Sequence, residues 1–361
     1  MKKILYLILV IPLNFYAQNN KIKTQYEFVS ELRGDNTSKP FYSVNKIQVD
    51  DKECVYLLDG NEQTINKYDQ NGKFILSYGK KGKGPGEFDV CRDFQLLPSG
   101  KIIAADDYNR RITVFKNDGS VENTISFPEA IIKIGMLPGN QIIAEVLDVN
   151  MQGSDYIMNQ KLSLYDSEMK LITLIDSVQY KDRKRISGYN GLVKYPYPNK
   201  IIWGILSNGN IVVTHTHATD FKVFSNKGKM LFKKDNIFVP KKLTVKDQNK
   251  YFNEGKFKQQ NNSWDLGAPQ IVRDKTVFPK QLPSTIGLLI DKKDNIIFKQ
   301  HTYSGEPTKI IIAKINSAPL SVQLKKGILL EISTFSKEFL YDVIENIEDG
   351  IPILKKYRYE I

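Results

Sequence analysis

Histidine and cysteine are scarce in this chain, with three and two residues respectively among 361. Beyond the first sixteen positions no apolar run approaches the roughly 20 residues that a membrane helix needs. The sequence has no Gly-x-Ser-x-Gly elbow, which argues against a hydrolase built on that turn. It also lacks paired Cys/His metal spacing and an EF-hand loop. Acidic residues are outnumbered by basic ones, 40 to 52, for a formal net charge of +12.

The N-terminus follows an export pattern. Lys2 and Lys3 precede the apolar run Ile4 to Val10, which continues to Tyr16 with only Asn14 polar. Ala17-Gln18 then supplies a small residue before a polar stretch, as at a signal-peptide cleavage site. No Cys sits there to carry a lipid. The expectation is a signal peptide over 1–17 and a mature chain over 18–361, periplasmic or extracellular, with no transmembrane segment. Without Lys2 and Lys3 the net charge is +10. A basic balance attracts anionic partners over distance. Outside the cytoplasm that points to an anionic glycan or an acidic protein surface, and no nucleic acid is expected.

What the chain has in abundance is strand material: 19 Tyr, 18 Phe, many Ile and Val, and Gly and Asp at regular turns. Two stretches superimpose without a gap. Ile47-Gln48-Val49, Val55 to Asp59, Ile65, Tyr68 and Gly72 match Phe94-Gln95-Leu96, Ile102 to Asp106, Ile112, Phe115 and Gly119, each pair 47 residues apart. A third copy, from Gly209 through Ile211 to His215, then Phe221, Phe224 and Gly228, lies 109 residues further on. Weaker copies start at Leu137 and Ile290, and Phe339 to Ile361 supplies two more strands. Each unit reads strand, tight turn, strand, loop, strand, Gly-containing turn, strand. One such meander buries too little alone, whereas several in a ring bury both faces of each sheet and remove exposed edges. The pattern predicts an all-β chain: a six-bladed β-propeller of four-stranded antiparallel blades, one domain and a monomer, interrupted by an irregular insertion over 236–285. Within it Thr244 is placed to cap a short helix that ends near Gly255.

Closure is expected to join the two ends of the chain. The last copy has too few strands and an extra one precedes the first, so Tyr26 to Arg33 should pair with Ile353 to Tyr359. Cys54 falls just after one turn and Cys91 at the opposite end of a neighbouring strand. The register therefore separates them beyond the roughly 7 Å that a disulfide tolerates between Cα atoms.

The loop Gly79-Lys80-Lys81-Gly82-Lys83-Gly84-Pro85-Gly86-Glu87-Phe88, with Val55 to Asp59 and Asp106 to Phe115 around it, resembles an NHL repeat. The chain as a whole resembles secreted bacterial six-bladed propellers related to that group. The resemblance implies six blades. It does not select one activity, since NHL-like propellers include binding modules, lyases and hydrolases.

In this fold the second-to-third strand loops and the blade-to-blade loops emerge on one face, here termed the top face. It should carry Lys80, Lys81, Lys83, Asp106, Asp107, Tyr108, Arg110 and Arg111. The lysines and arginines are candidates for gripping an anion. Asp59 and Asp106 recur at one point of the repeat, which suits either ligand contact or a carboxylate bonded to loop N–H groups. His215, His217 and His301 fall in corresponding loops of consecutive candidate blades. They are candidates for a divalent metal (Zn or Ca) or for acid–base work, against the plainer reading of surface histidines without a role. Two functions follow: a ligand- or protein-binding propeller favouring an anionic partner, or a metal-assisted propeller lyase or hydrolase working at the channel mouth.

Overall fold

The computed structural model describes residues 25–189, 191–258, 264–303, 306–315, 317–324, 328, 330, 332–346 and 349–360. The N-terminal export pattern lies outside them. The first strand, β1 (Gln25–Arg33), belongs to the last blade. Blade one is β2 (Val44–Val49), β3 (Val55–Asp59), β4 (Thr64–Tyr68) and β5 (Phe74–Tyr78). Blade two is β6 (Cys91–Leu96), β7 (Ile102–Asp106), β8 (Arg111–Phe115) and β9 (Val121–Ser126). Blade three has five strands: β10 (Ala130–Leu137), β11 (Gln141–Gln152), β12 (Asp155–Tyr165), β13 (Leu171–Arg185) and β14 (Leu192–Lys194). Blade four is β15 (Ile201–Ile205), β16 (Ile211–His215), β17 (Phe221–Phe224) and β18 (Met230–Lys234).

The insertion follows, with α1 (Val245–Glu254), a hairpin of β19 (Lys256–Lys258) and β20 (Trp264–Leu266), and α2 (Gln270–Lys275). Thr244 caps α1 as the sequence predicts, its hydroxyl accepting from the Asp247 N–H while the Asp247 carboxylate accepts from the Thr244 N–H. Blade five is β21 (Gly287–Ile290), β22 (Ile296–Lys299), β23 (Lys309–Ala313) and β24 (Leu320–Gln323). Blade six combines β25 (Ile332–Phe335), β26 (Phe339–Glu345) and β27 (Pro352–Glu360) with β1 on its outer edge. All strand pairs are antiparallel.

Six apolar clusters close the ring, one at each blade-to-blade interface. Leu57 and Val49 of blade one pack with Tyr341 and Leu354 of blade six. Tyr56 and Leu58 face Phe94 and Ala104 of blade two. Ile103 and Ile112 meet Ile134 and Ala144. Leu162 and Leu164 meet Trp203 and Val213. Val212 and Phe221 meet Ile296 and Phe298. Ile297 and Ile310 meet Leu340 and Tyr359. The short strands carry apolar residues on consecutive positions because both faces of each sheet are covered.

Ring closure follows the predicted register, with Tyr26 opposite Tyr359 and Arg33 opposite Ile353. Cys54 and Cys91 are both free thiols, and Cys91 is fully buried.

Blade three departs from the repeat. β10 ends its pairing with β11 at Ala130 opposite Leu147, yet β11 runs on to Gln152 and returns as β12. β13 follows the extended hairpin to Arg185, and β14 pairs with its last three residues. This extension rises above the top face. Val193 of β14 shares a separate small core with Phe252, Ala268 and Val272 of the insertion. Two interruptions of the repeat thus fold against each other as a cap over one side of the top face.

Candidate functional site

The top-face loops are held from within by buried carboxylates. Asp59 accepts from the N–H groups of Asn61 (2.9 Å) and Glu62 (3.1 Å). Asp106 is 1% exposed and accepts from Asp89 N–H (3.1 Å), Val90 N–H (3.0 Å) and the Asn109 side-chain amide (2.6 Å). Both carboxylates set the conformation of their loops; Asp106 is engaged through both oxygens, whereas Asp59 is engaged through Oδ1 and its Oδ2 is buried with no partner among the described residues.

The glycine-rich loop is a folded link between blades one and two. Gly79 has φ +72°, and a side chain there would collide with the Phe88 ring. Lys80 reaches Glu87 at 3.2 Å, and Gly84 N–H donates to Glu87 at 2.8 Å. The Gly84 N–H first, and then Lys80, hold the Glu87 carboxyl below its ordinary range. Lys83 lies 3.9 Å from Asp89. Lys81 is exposed, with no ion pair among the described residues.

Arg110 and Arg111 are adjacent but differ in role. Arg111 turns inward and donates to the carbonyls of Lys83 (3.1 Å), Gly84 (2.6 Å) and Glu87 (2.6 Å), clamping the glycine-rich loop. Arg110, at φ +50°, stays at the surface. It lies 3.7 Å from Asp107, which also accepts from Arg92 Nε at 3.2 Å. Asp107 is 8% exposed at its side chain, whereas Arg92 and Arg110 are 44% and 49% exposed. One nearly buried carboxylate therefore presents two guanidinium groups to solvent. Tyr108, next to Asp107 in the same loop, is 63% exposed. Arg92 is the site residue that the sequence reading missed. It is the second residue of a repeat strand, and only the fold brings it against Asp107.

The three histidines share the top face but do not share a ligand geometry. His215 Nε2 lies 3.1 Å from Asp176 of β13. Burial opposes ionisation of Asp176, but the hydrogen bond and charge of His215 outweigh it and keep this carboxyl below its ordinary range. His217 Nε2–H donates to the Tyr197 carbonyl at 2.7 Å. His301 is set edge-on to Tyr197 (5.1 Å between centroids) and Tyr303 (5.0 Å), with Nε2 buried and without a hydrogen-bond partner among the described residues. Burial first, and then the charge of Lys241, push its imidazole below the ordinary value. Among the described residues no three His, Cys, Asp or Glu side chains converge as a metal site. The histidine set does not fit one shared ion. His301 alone joins a polar cluster under α1, in which the Tyr303 hydroxyl donates to Asp247 and Lys250 sits 4.2 Å above the Tyr303 ring.

Inside the channel the innermost strands carry charge. Lys46 pairs with Asp93, which also accepts from Ile134 N–H at 2.8 Å. Lys133 donates to the Trp203 carbonyl at 2.7 Å and lies 4.2 Å over the Trp203 ring. Burial pushes its ammonium below the ordinary lysine value, against the pull of Glu145 and Asp93. At the opposite mouth a cavity of about 780 Å³ is lined by Asp50, Lys52, Tyr56, Ser207, Asp294 and Phe335.

The fold defines the class: a six-bladed β-propeller of four- and five-stranded antiparallel blades, here with a cap on one side of its top face. Within that class, residues 36–173 match a family described as 6-bladed beta-propeller. The chain is 30% identical over 76 residues to human NHL repeat-containing protein 3, a match spanning 20% of this chain and 22% of that protein. Among solved structures it is similar to a protein from Bacteroides fragilis NCTC 9343 described as exported. That likeness has TM-score 0.58 and 13% identity, and covers 94% of this chain and 96% of the other. A DUF4221 family member from Bacteroides vulgatus ATCC 8482 gives TM-score 0.51 and 10% identity, over 93% and 98%. At these identities the structural likeness concerns the fold alone.

Proposed function

We propose that this propeller is an exported binding module that takes an anionic ligand, a glycan or an acidic protein surface, on its top face. The observation that carries the reading is the Arg92–Asp107–Arg110 arrangement, in which two exposed guanidiniums share one nearly buried carboxylate. Asp107 accepts a hydrogen bond from Arg92 and draws Arg110 to 3.7 Å as an ion pair, and the group keeps a net positive charge that a carboxylate, phosphate or sulfate can neutralise. Tyr108 adds an exposed ring beside them, and Lys81 and Lys83 extend the positive field from the neighbouring loop. Export rests on the N-terminal pattern of Lys2 to Gln18. The test is binding of the mature protein to acidic polysaccharides, acidic proteins and neutral polysaccharides at low and high salt. The reading expects acidic ligands only, with binding weakened by salt; equal binding to neutral ligands overturns it.

A second reading has one observation in its favour. His301, Tyr303 and Asp247 form a half-buried acid–base cluster under the cap. If the top face is a lyase or hydrolase site, this cluster is its proton-handling part, and His301→Gln abolishes turnover without reducing ligand binding.

A further inference from the structure

The cap sheet treats cations differently on its two faces. On the inner face Lys181 and Lys184 both have partners. Lys181 pairs with Asp155 at 2.6 Å and lies 5.6 Å over Tyr195. Lys184 lies 5.5 Å over the same ring and donates to the Lys275 carbonyl of the insertion. Tyr195 closes the group by donating to Asp155 at 2.7 Å.

The outer face is compensated only in part. In the β13–β14 register Arg183 stands directly opposite Lys194, and Arg185 opposite Leu192. Arg183 is also opposite Tyr156 of β12. Directly opposed residues share a face, as do residues two apart along a strand, so Tyr156, Arg183, Arg185, Leu192 and Lys194 lie together. Among the described residues the one carboxylate paired with these cations is Asp182, bonded to Arg183 at 2.6 Å. Arg185 contacts the Tyr156 hydroxyl at 3.2 Å, and neither it nor Lys194 has an ion pair among the described residues. Like charges directly opposite on a sheet destabilise it. Nothing in the packing requires them, since the small core lies on the Val193 side.

We infer that this outer face is a docking surface for a linear acidic polysaccharide of the polyuronate type. The cations are set on rigid backbone about 7 Å apart along β13 and about 5 Å apart across to β14. That is a row suited to carboxylates repeating along an extended chain. Tyr156 and Leu192 among them offer apolar surface to the faces of sugar rings, which a purely charged patch would not. Arg183 and Arg185 present planar forks that match carboxylates through paired hydrogen bonds. The inference rests on the reading of the propeller as an anion-binding module and gives it a ligand class and a second contact surface.

The test compares the wild-type protein with an Arg183→Ser/Arg185→Ser/Lys194→Ser variant and an Arg92→Ser/Arg110→Ser variant. Each is titrated with polygalacturonate, poly-glutamate and neutral dextran. The expected result is binding of polygalacturonate by wild type, weakened about tenfold or more in the cap variant, with weaker binding of poly-glutamate and none of dextran. The cap variant should stay folded with a melting temperature close to that of wild type, because the like-charge repulsion it relieves offsets the exposed Arg183–Asp182 pair it loses. Unchanged affinity of the cap variant for polygalacturonate overturns the inference, even if the Arg92/Arg110 variant fails to bind and so upholds the top-face reading. Loss in the cap variant with full binding by the Arg92/Arg110 variant upholds the inference and removes the shared-carboxylate site. Poly-glutamate bound as tightly as polygalacturonate overturns the polysaccharide assignment in favour of an acidic protein partner.

Discussion

Tyr26 and Tyr359 face each other across the antiparallel pair that completes the sixth blade, so the first described strand and the last hold the ring together. Tyr26 is 3% exposed within the cluster between blades five and six, whereas Phe28, two residues on, is 53% exposed. Tyr26→Ala should therefore cost about 3–5 kcal/mol in urea denaturation, the usual range for a buried aromatic. Phe28→Ala should cost well under half as much. Equal losses would mean that the closing strand is not seated as described.

Arg111 holds the glycine-rich loop by three hydrogen bonds to its carbonyls. Bonds to a charged donor contribute about 1.5–3 kcal/mol. Arg111→Ala should open the loop and make the Lys80 to Lys83 segment a preferred trypsin site while the rest of the ring stays resistant. Arg111→Lys should rescue this only in part, because an ammonium cannot span the carbonyls as the fork does. A cleavage pattern identical to wild type in both variants would remove the clamp.

His301 gives a pH dependence of stability with a definite sign. Its imidazole is held below the ordinary value of 6.5 by burial, so in mildly acidic solution the unfolded chain binds a proton that the folded chain refuses. Stability should fall as pH drops through about 6.5 and level off below the folded-state value. His301→Phe, which keeps a ring between Tyr197 and Tyr303, should lose this component. Melting temperatures of the two proteins from pH 8 to pH 5 check it, and parallel curves would contradict it.

The thiols should report the register. Cys91 is fully buried, and burial pushes its thiol well above the ordinary value, so it should not react with a thiol reagent in the native protein. Cys54 is partly accessible and should react slowly. Both should react in denaturant without reductant, and finding neither would mean a disulfide.

The ring was legible because each blade buries the same positions. Gln48 donates to Gln95 at 2.9 Å, and Lys46 pairs with Asp93, so the 47-residue offset of the repeat becomes direct contact between neighbouring blades. The recurring Asp59 and Asp106 were legible as loop anchors for the same reason. The cap was not. β11 and β12 run past their neighbours without changing pattern, so the extension reads as an insertion of unknown shape, and its packing on α1 and α2 joins segments far apart in the chain. Side-chain direction was also beyond the sequence. Arg110 and Arg111 look alike in the chain, yet the left-handed backbone at Arg110 sends one outward while the strand start sends the other into the loop. Matching loop positions placed the histidines on one face, but Asp176, the Tyr197 carbonyl and two aromatic rings decided where each points. Lys133 left a trace: a single lysine within the apolar run Ile131 to Ile134 of an innermost strand.

The most direct test of the anion-binding account is calorimetric titration of the mature protein and its Arg92→Ser/Arg110→Ser variant with an acidic polysaccharide at low and at high salt. The account predicts that wild type binds more tightly at low salt, and that the variant, shown to be folded by its circular dichroism spectrum although it melts lower because Asp107 has lost its partners, loses about tenfold or more of that affinity. Equal affinity of the two proteins at low salt, or wild-type binding indifferent to salt, would contradict it.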